Sequence, residues 1–77
     1  MMQPSSAIEQ ARDAIRSYLQ RYPHGADTLE GVAQWWLGGA VAPETVAAAL
    51  EQLRAAGELE EIRAGQRQVW RRRRPAA

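Results

Sequence analysis

Proline and glycine divide this chain before any other signal is considered. Pro23, the Gly38-Gly39 pair followed by Pro43, and Gly57 each interrupt a helix-period apolar stripe, so three short helices are the longest regular elements available. The first stripe is Ile8, Ala11, Ile15, Leu19 and Tyr22, spaced three and four apart behind a Ser6-to-Glu9 capping box. This predicts a helix from Ser6 to Arg21. A second acid-and-hydroxyl cap, Asp27-Thr28-Leu29-Glu30, precedes Leu29, Val32, Ala33, Trp36 and Leu37, a second helix that ends at the glycine pair. Pro43 suits the first position of a third helix, whose stripe is Val46, Ala49, Leu50 and Leu53 and whose C-cap is Gly57.

Beyond Gly57 the period changes. Leu59 and Ile62, a turn at Ala64-Gly65-Gln66, and Gln68-Val69-Trp70 read as a β-hairpin. The expected core is Ile8, Ala11, Ile15, Leu19, Leu29, Val32, Trp36, Val46, Leu50, Leu53 and Leu59. Trp70 is read first as core, because a chain without Phe needs other large apolar side chains.

With 77 residues the chain is one small domain, expected over residues 6–73 between a disordered tail at 1–5 and a C-terminal tail at 74–77. Without cysteine, disulfide scaffolds and Cys-type zinc sites are excluded. No apolar run approaches the roughly 18 residues of a membrane span, and the N-terminus lacks a signal-peptide layout, so a soluble cytoplasmic chain with no membrane partner is expected. The net charge of +1 conceals a partition. Residues 1–61 hold four Arg and all nine acids, net −5, whereas residues 62–77 hold six Arg and no acid, net +6. An anionic partner should therefore engage the C-terminal end.

The order helix, helix, turn, helix, hairpin resembles the winged helix-turn-helix family, in its small single-domain bacterial form. Val46-x3-Leu50-x2-Leu53-x3-Gly57-x-Leu59 and then Gly65-x3-Val69-Trp70-Arg71 carry the resemblance, which spans nearly the whole chain. It implies a mainly α fold with a small C-terminal β-hairpin, the wing, and a third helix that leads into the DNA major groove. Most such domains bind DNA and many bind proteins, so fold alone leaves both open.

For DNA, the candidate contacts are Thr45, Gln52 and Arg54 on the third helix and Arg63, Arg67, Arg71, Arg72, Arg73 and Arg74 on the hairpin and tail. Arginine pairs with phosphate oxygens bidentately, while the helix itself offers few base-reading side chains. Glu44 at its start is as well explained by the helix dipole. The alternative is a protein-interaction module built on Trp35, Ala48 and Glu51, with Ala47 adding to a small-residue face. Exposed Trp is enriched at interface centres. A third possibility combines the two, a domain that dimerises through Ile8 or Trp35 before binding DNA, as winged helices often do.

Catalysis is set aside. His24 is the only histidine, so a two-His metal site is out of reach in one chain. Ser6, Thr28 and Thr45 sit near helix starts, where capping accounts for a hydroxyl. Glu58-x-Glu60-Glu61 lacks the loop glycine and oxygen ligands of a calcium site, and Gly38-Gly39 lacks the Gly-Lys-Ser/Thr ending of a phosphate loop. No cofactor, metal or small-molecule site is expected.

Overall fold

The computed structural model describes residues 4–74. Helix α1 runs from Pro4 to Arg21, starting at a proline whose missing amide costs nothing in a first turn. Ser6 is therefore inside the helix, and the expected capping box at its start is not formed. Pro4 and Ser5 of the expected N-terminal tail are helical, while residues 1–3 and 75–77 lie outside the described residues.

A two-residue strand, β1 (Ala26–Asp27), follows, at a place with no strand signal in the sequence. Asp27 consequently does not cap α2 (Leu29–Gly31). Thr28 does: its hydroxyl accepts from the Gly31 amide at 3.2 Å, and the Asp27 carboxylate accepts from the Thr28 amide at 2.8 Å. The cap is thus displaced by one residue, and Gly31 rather than Glu30 occupies its third helical position.

After one turn the helix widens. Val32–Trp36 is a π-helical turn, closed by the Leu37 amide bonding back five residues to the Val32 carbonyl at 3.1 Å. The two adjacent tryptophans of this turn face different surroundings. Trp36 is half-buried and lies face to face with Tyr18, ring centroids 4.5 Å apart and planes 9° from parallel; Trp35 is 74% exposed.

Helix α3 (Pro43–Ala55) begins as expected at its proline. It ends in a Schellman arrangement, with Glu58 N–H bonding to the Leu53 carbonyl, Gly57 N–H to that of Arg54, and Gly57 at φ +80°. Strands β2 (Leu59–Ala64) and β3 (Arg67–Arg72) form the hairpin. Gly65 takes φ +66° and Gln66 does not take a positive φ, which is the pattern of a type II′ turn. The three strands make one antiparallel sheet in the order β1-β3-β2, with Ala26 opposite Arg71 and Glu61 opposite Trp70.

The core is Ala11, Ile15 and Leu19 from α1, Val32 and Ala33 from the second helical segment, Val46, Ala49, Leu50 and Leu53 from α3, and Leu59 and Trp70 from the sheet. Ile8, Leu29 and Trp36, expected as core, pack against it only half-buried. Tyr22 lies beyond the end of α1 and is 52% exposed rather than continuing the stripe. Tyr18 takes its place, bridging Trp36 and Tyr22. No described helix is long and apolar enough to cross a membrane.

Candidate nucleic-acid interface

Trp70 and Leu59 point into the core, and side chains alternate along a strand. Glu61, Arg63, Gln68 and Arg72 therefore share the helix-facing side of the hairpin, while Glu60, Ile62, Ala64, Arg67, Val69 and Arg71 lie on the outer side. On that outer side Arg71 Nε donates to Glu60 Oε2 at 2.6 Å across the register pair. Ile62 and Val69, paired and half-buried, lie next to it.

The arginines divide by what they touch. Arg16 donates twice to Glu58, Nε to Oε1 at 2.8 Å and Nη2 to Oε2 at 2.7 Å, and meets Asp13 at 3.4 Å. The hydrogen bond to Arg16 holds the Glu58 carboxyl below its usual range against a smaller desolvation effect. Arg12 donates from Nη1 to Gln52 Oε1 at 2.9 Å, leaving its Nε buried without a partner. Arg54 bonds Glu51 at 2.7 and 2.9 Å, which raises the guanidinium above its usual value. By contrast, Arg21 at the end of α1 and Arg63, Arg67, Arg72, Arg73 and Arg74 on the hairpin and its end have no side-chain partner among the described residues.

Two clefts border the free arginines. One, of about 720 Å³, lies between the start of α2 and the hairpin tip and is lined by Thr28, Glu30, Arg63, Gln66, Arg67 and Gln68 over Leu29 and Trp70. The other, of about 360 Å³, lies at the hairpin base beside α1, where Arg72 and Arg73 join the Arg16–Glu58 pair over Leu19 and Leu59.

Helix α3 presents a different surface. Its buried line is Val46, Ala49, Leu50 and Leu53, so at 100° per residue the outermost line is Glu44, Ala48, Glu51 and Ala55. Thr45 and Gln52 flank it on the side of α1, where Gln52 is held by Arg12. Arg54 is on the other flank, within the field of Glu61 on β2. Among the described residues the candidate contacts therefore divide. Arg63, Arg67, Arg72, Arg73 and Arg74 on the hairpin and its end are unpaired, and Arg71 is held by Glu60; on α3, Gln52 and Arg54 are engaged within the molecule while Thr45 has no side-chain hydrogen bond. Pairing of the C-terminal arginines with the local acids Glu58, Glu60 and Glu61 is an expectation the sequence carries, and Arg71 meets it; the pairing of Arg54 with Glu51 is not read there. For Arg71 the cross-strand partner Glu60 was a readable signal once the turn was placed, and for Arg54 the three-residue spacing from Glu51 was another. Trp35 belongs to the π turn, not to α3.

Comparison with protein-family models, curated proteins and solved structures gives no match.

Proposed function

We propose that this chain is a non-enzymatic winged-helix domain that binds double-stranded DNA through the phosphate backbone, using wing and C-terminal arginines. The observation that carries this reading is that five arginines grouped on the hairpin and its end, Arg63, Arg67, Arg72, Arg73 and Arg74, have no internal side-chain partner among the described residues, the one other unpaired arginine there, Arg21, standing apart at the end of α1. An unpaired guanidinium can bond a phosphate without first breaking a protein contact. With Glu44 and Glu51 on its outermost line, α3 contributes position rather than base reading. The binding is accordingly tolerant of sequence.

The test is fluorescence anisotropy of a labelled mixed-sequence duplex over a range of salt. Five phosphate contacts give a slope of log K against log salt of about −4.5. Replacing Arg72, Arg73 and Arg74 with Gln should reduce that slope to about −2 while circular dichroism stays unchanged. No binding at low salt, or an unaltered slope in the variant, would overturn the reading.

A second reading rests on Trp35, which is 74% exposed. In it the same fold is a protein-interaction module, with Trp35 the anchor and Ala48 and Glu51 contributing from the outer line of α3. It gains if the duplex shows no affinity at low salt.

A further inference from the structure

The sheet order leaves β2 as an open edge, since β3 is its only neighbour. In an antiparallel ladder, hydrogen-bonded and non-bonded pairs alternate. A two-residue turn makes the flanking pair, Ala64 with Arg67, a bonded one. Ile62 and Glu60 then also bond inward, which turns the backbone N–H and C=O groups of Leu59, Glu61 and Arg63 outward. None of those groups has a backbone partner elsewhere among the described residues. Glu61 and Arg63 are exposed, and neither side chain has a partner among the described residues.

We infer that β2 is a self-association edge, and that its occupant is β2 of a second copy of this chain, joined antiparallel about a two-fold axis at Ile62. Such an axis stands normal to the sheet, so residues facing each other across it must come from the same face of the strand. Centring on Glu60, Glu61 or Arg63 sets that residue's charge against its own copy. Centring on Ile62 sets Glu61 opposite Arg63 of the second copy, and Arg63 opposite Glu61 of the second copy. These are also the residues whose outward backbone groups would exchange the ladder bonds. Ile62 then meets its own copy on the outer side, next to Val69, in an apolar strip continuous across both hairpins. Opposite charges facing across a strand pair stabilise it and like charges destabilise it, so charge selects this register. The assembly is one six-stranded sheet, β1-β3-β2 followed by its mirror order, and it removes an edge that would otherwise be open to unspecific pairing.

The inference does not depend on DNA, and its test contains none; it engages Arg63, leaving Arg67, Arg72, Arg73 and Arg74 of each copy for phosphate. Sedimentation equilibrium of the full chain should show a reversible dimer whose population rises with concentration. Glu61→Arg places two cations on the edge and Arg63→Glu two anions, so each variant alone should lose about tenfold or more in self-association. An equimolar mixture of the two variants restores both charge pairs and should form a heterodimer. The double variant Glu61→Arg/Arg63→Glu should dimerise like the original chain. Far-ultraviolet circular dichroism of each variant checks that it is folded. A chain that stays monomeric to millimolar concentration overturns the inference. So do single variants that dimerise undiminished, because association would then use another surface.

Discussion

Arg16 of α1 and Glu58, at the entrance to the hairpin, are 42 positions apart in sequence and joined by two hydrogen bonds of 2.8 and 2.7 Å. Their side chains remain 42% and 41% exposed, so water screens the pair and its contribution is about 0.5–1 kcal/mol. The Glu58 carboxyl titrates below its usual value, chiefly through the Arg16 bond. A lowered carboxyl pKa stabilises the folded state above the unfolded value and loses that effect as pH falls through the folded one. Glu58→Gln should therefore destabilise by about 0.5–1 kcal/mol at neutral pH, with the difference shrinking towards zero below the ordinary glutamate range. Urea titrations at neutral and acid pH measure this. A penalty independent of pH would assign the loss to packing.

Gly31 offers a test whose sign distinguishes local from tertiary reasoning. It has helical φ of −66°, and by propensity alone Ala would stabilise it by about 1 kcal/mol. Yet a Cβ there would collide with the Asp27 carboxylate, the group that accepts from the Thr28 amide. Gly31→Ala should instead cost about 1–3 kcal/mol by displacing that bond. Asp27→Ala added to it should recover part of the loss. A raised melting temperature for Gly31→Ala would contradict the close approach.

Leu50 is fully buried, as are its neighbours Val46 and Ala49. Leu50→Ala should cost about 2–5 kcal/mol, a large share of the stability of a domain this small. Chemical denaturation reads it, and near-native behaviour would remove Leu50 from the core.

The adjacent tryptophans should respond oppositely. Trp35→Ala should change stability by no more than about 0.5 kcal/mol and remove the most red-shifted part of the fluorescence. Trp36→Ala breaks the stack on Tyr18, worth about 0.5–1.5 kcal/mol beyond the area it covers, and should weaken the near-ultraviolet dichroism. Equal effects from the two would erase the distinction drawn by the π turn.

What was legible beforehand followed from local chemistry. The stripe of α3, its proline start and its glycine end are all short-range signals, and the glycine at position 65 located the hairpin. Trp70 was readable as core because nothing else of its size was available on that strand. The short strand at Ala26–Asp27 was not legible, since two residues carry no period and their pairing exists only once β3 is beside them. That same pairing drew Asp27 away from the cap and moved the cap to Thr28. The π turn was hidden for a related reason: Val32–Trp36 fits an ordinary helical stripe, and it is the stacking of Trp36 on Tyr18 in another helix that accompanies the wider geometry. At the candidate interface, the excess of arginine near the C-terminus was evident from counting. Among the pairings, those of Arg54 with Glu51 and Arg71 with Glu60 had short-range signals, whereas those of Arg12 and Arg16 did not, because their partners lie 40 and 42 residues away.

The wide turn at Val32–Trp36 holds one residue more than an ordinary helical turn would need. That surplus is a unit of length slack between the cap at Thr28 and the glycines at 38 and 39. Deleting Gln34, exposed in the turn, takes up the slack: the segment can close as plain α-helix with both ends in place. A segment that reads as a tightly specified pair of tryptophans thus has room to lose a residue, and a chain shortened there is expected to keep an aromatic ring on Tyr18.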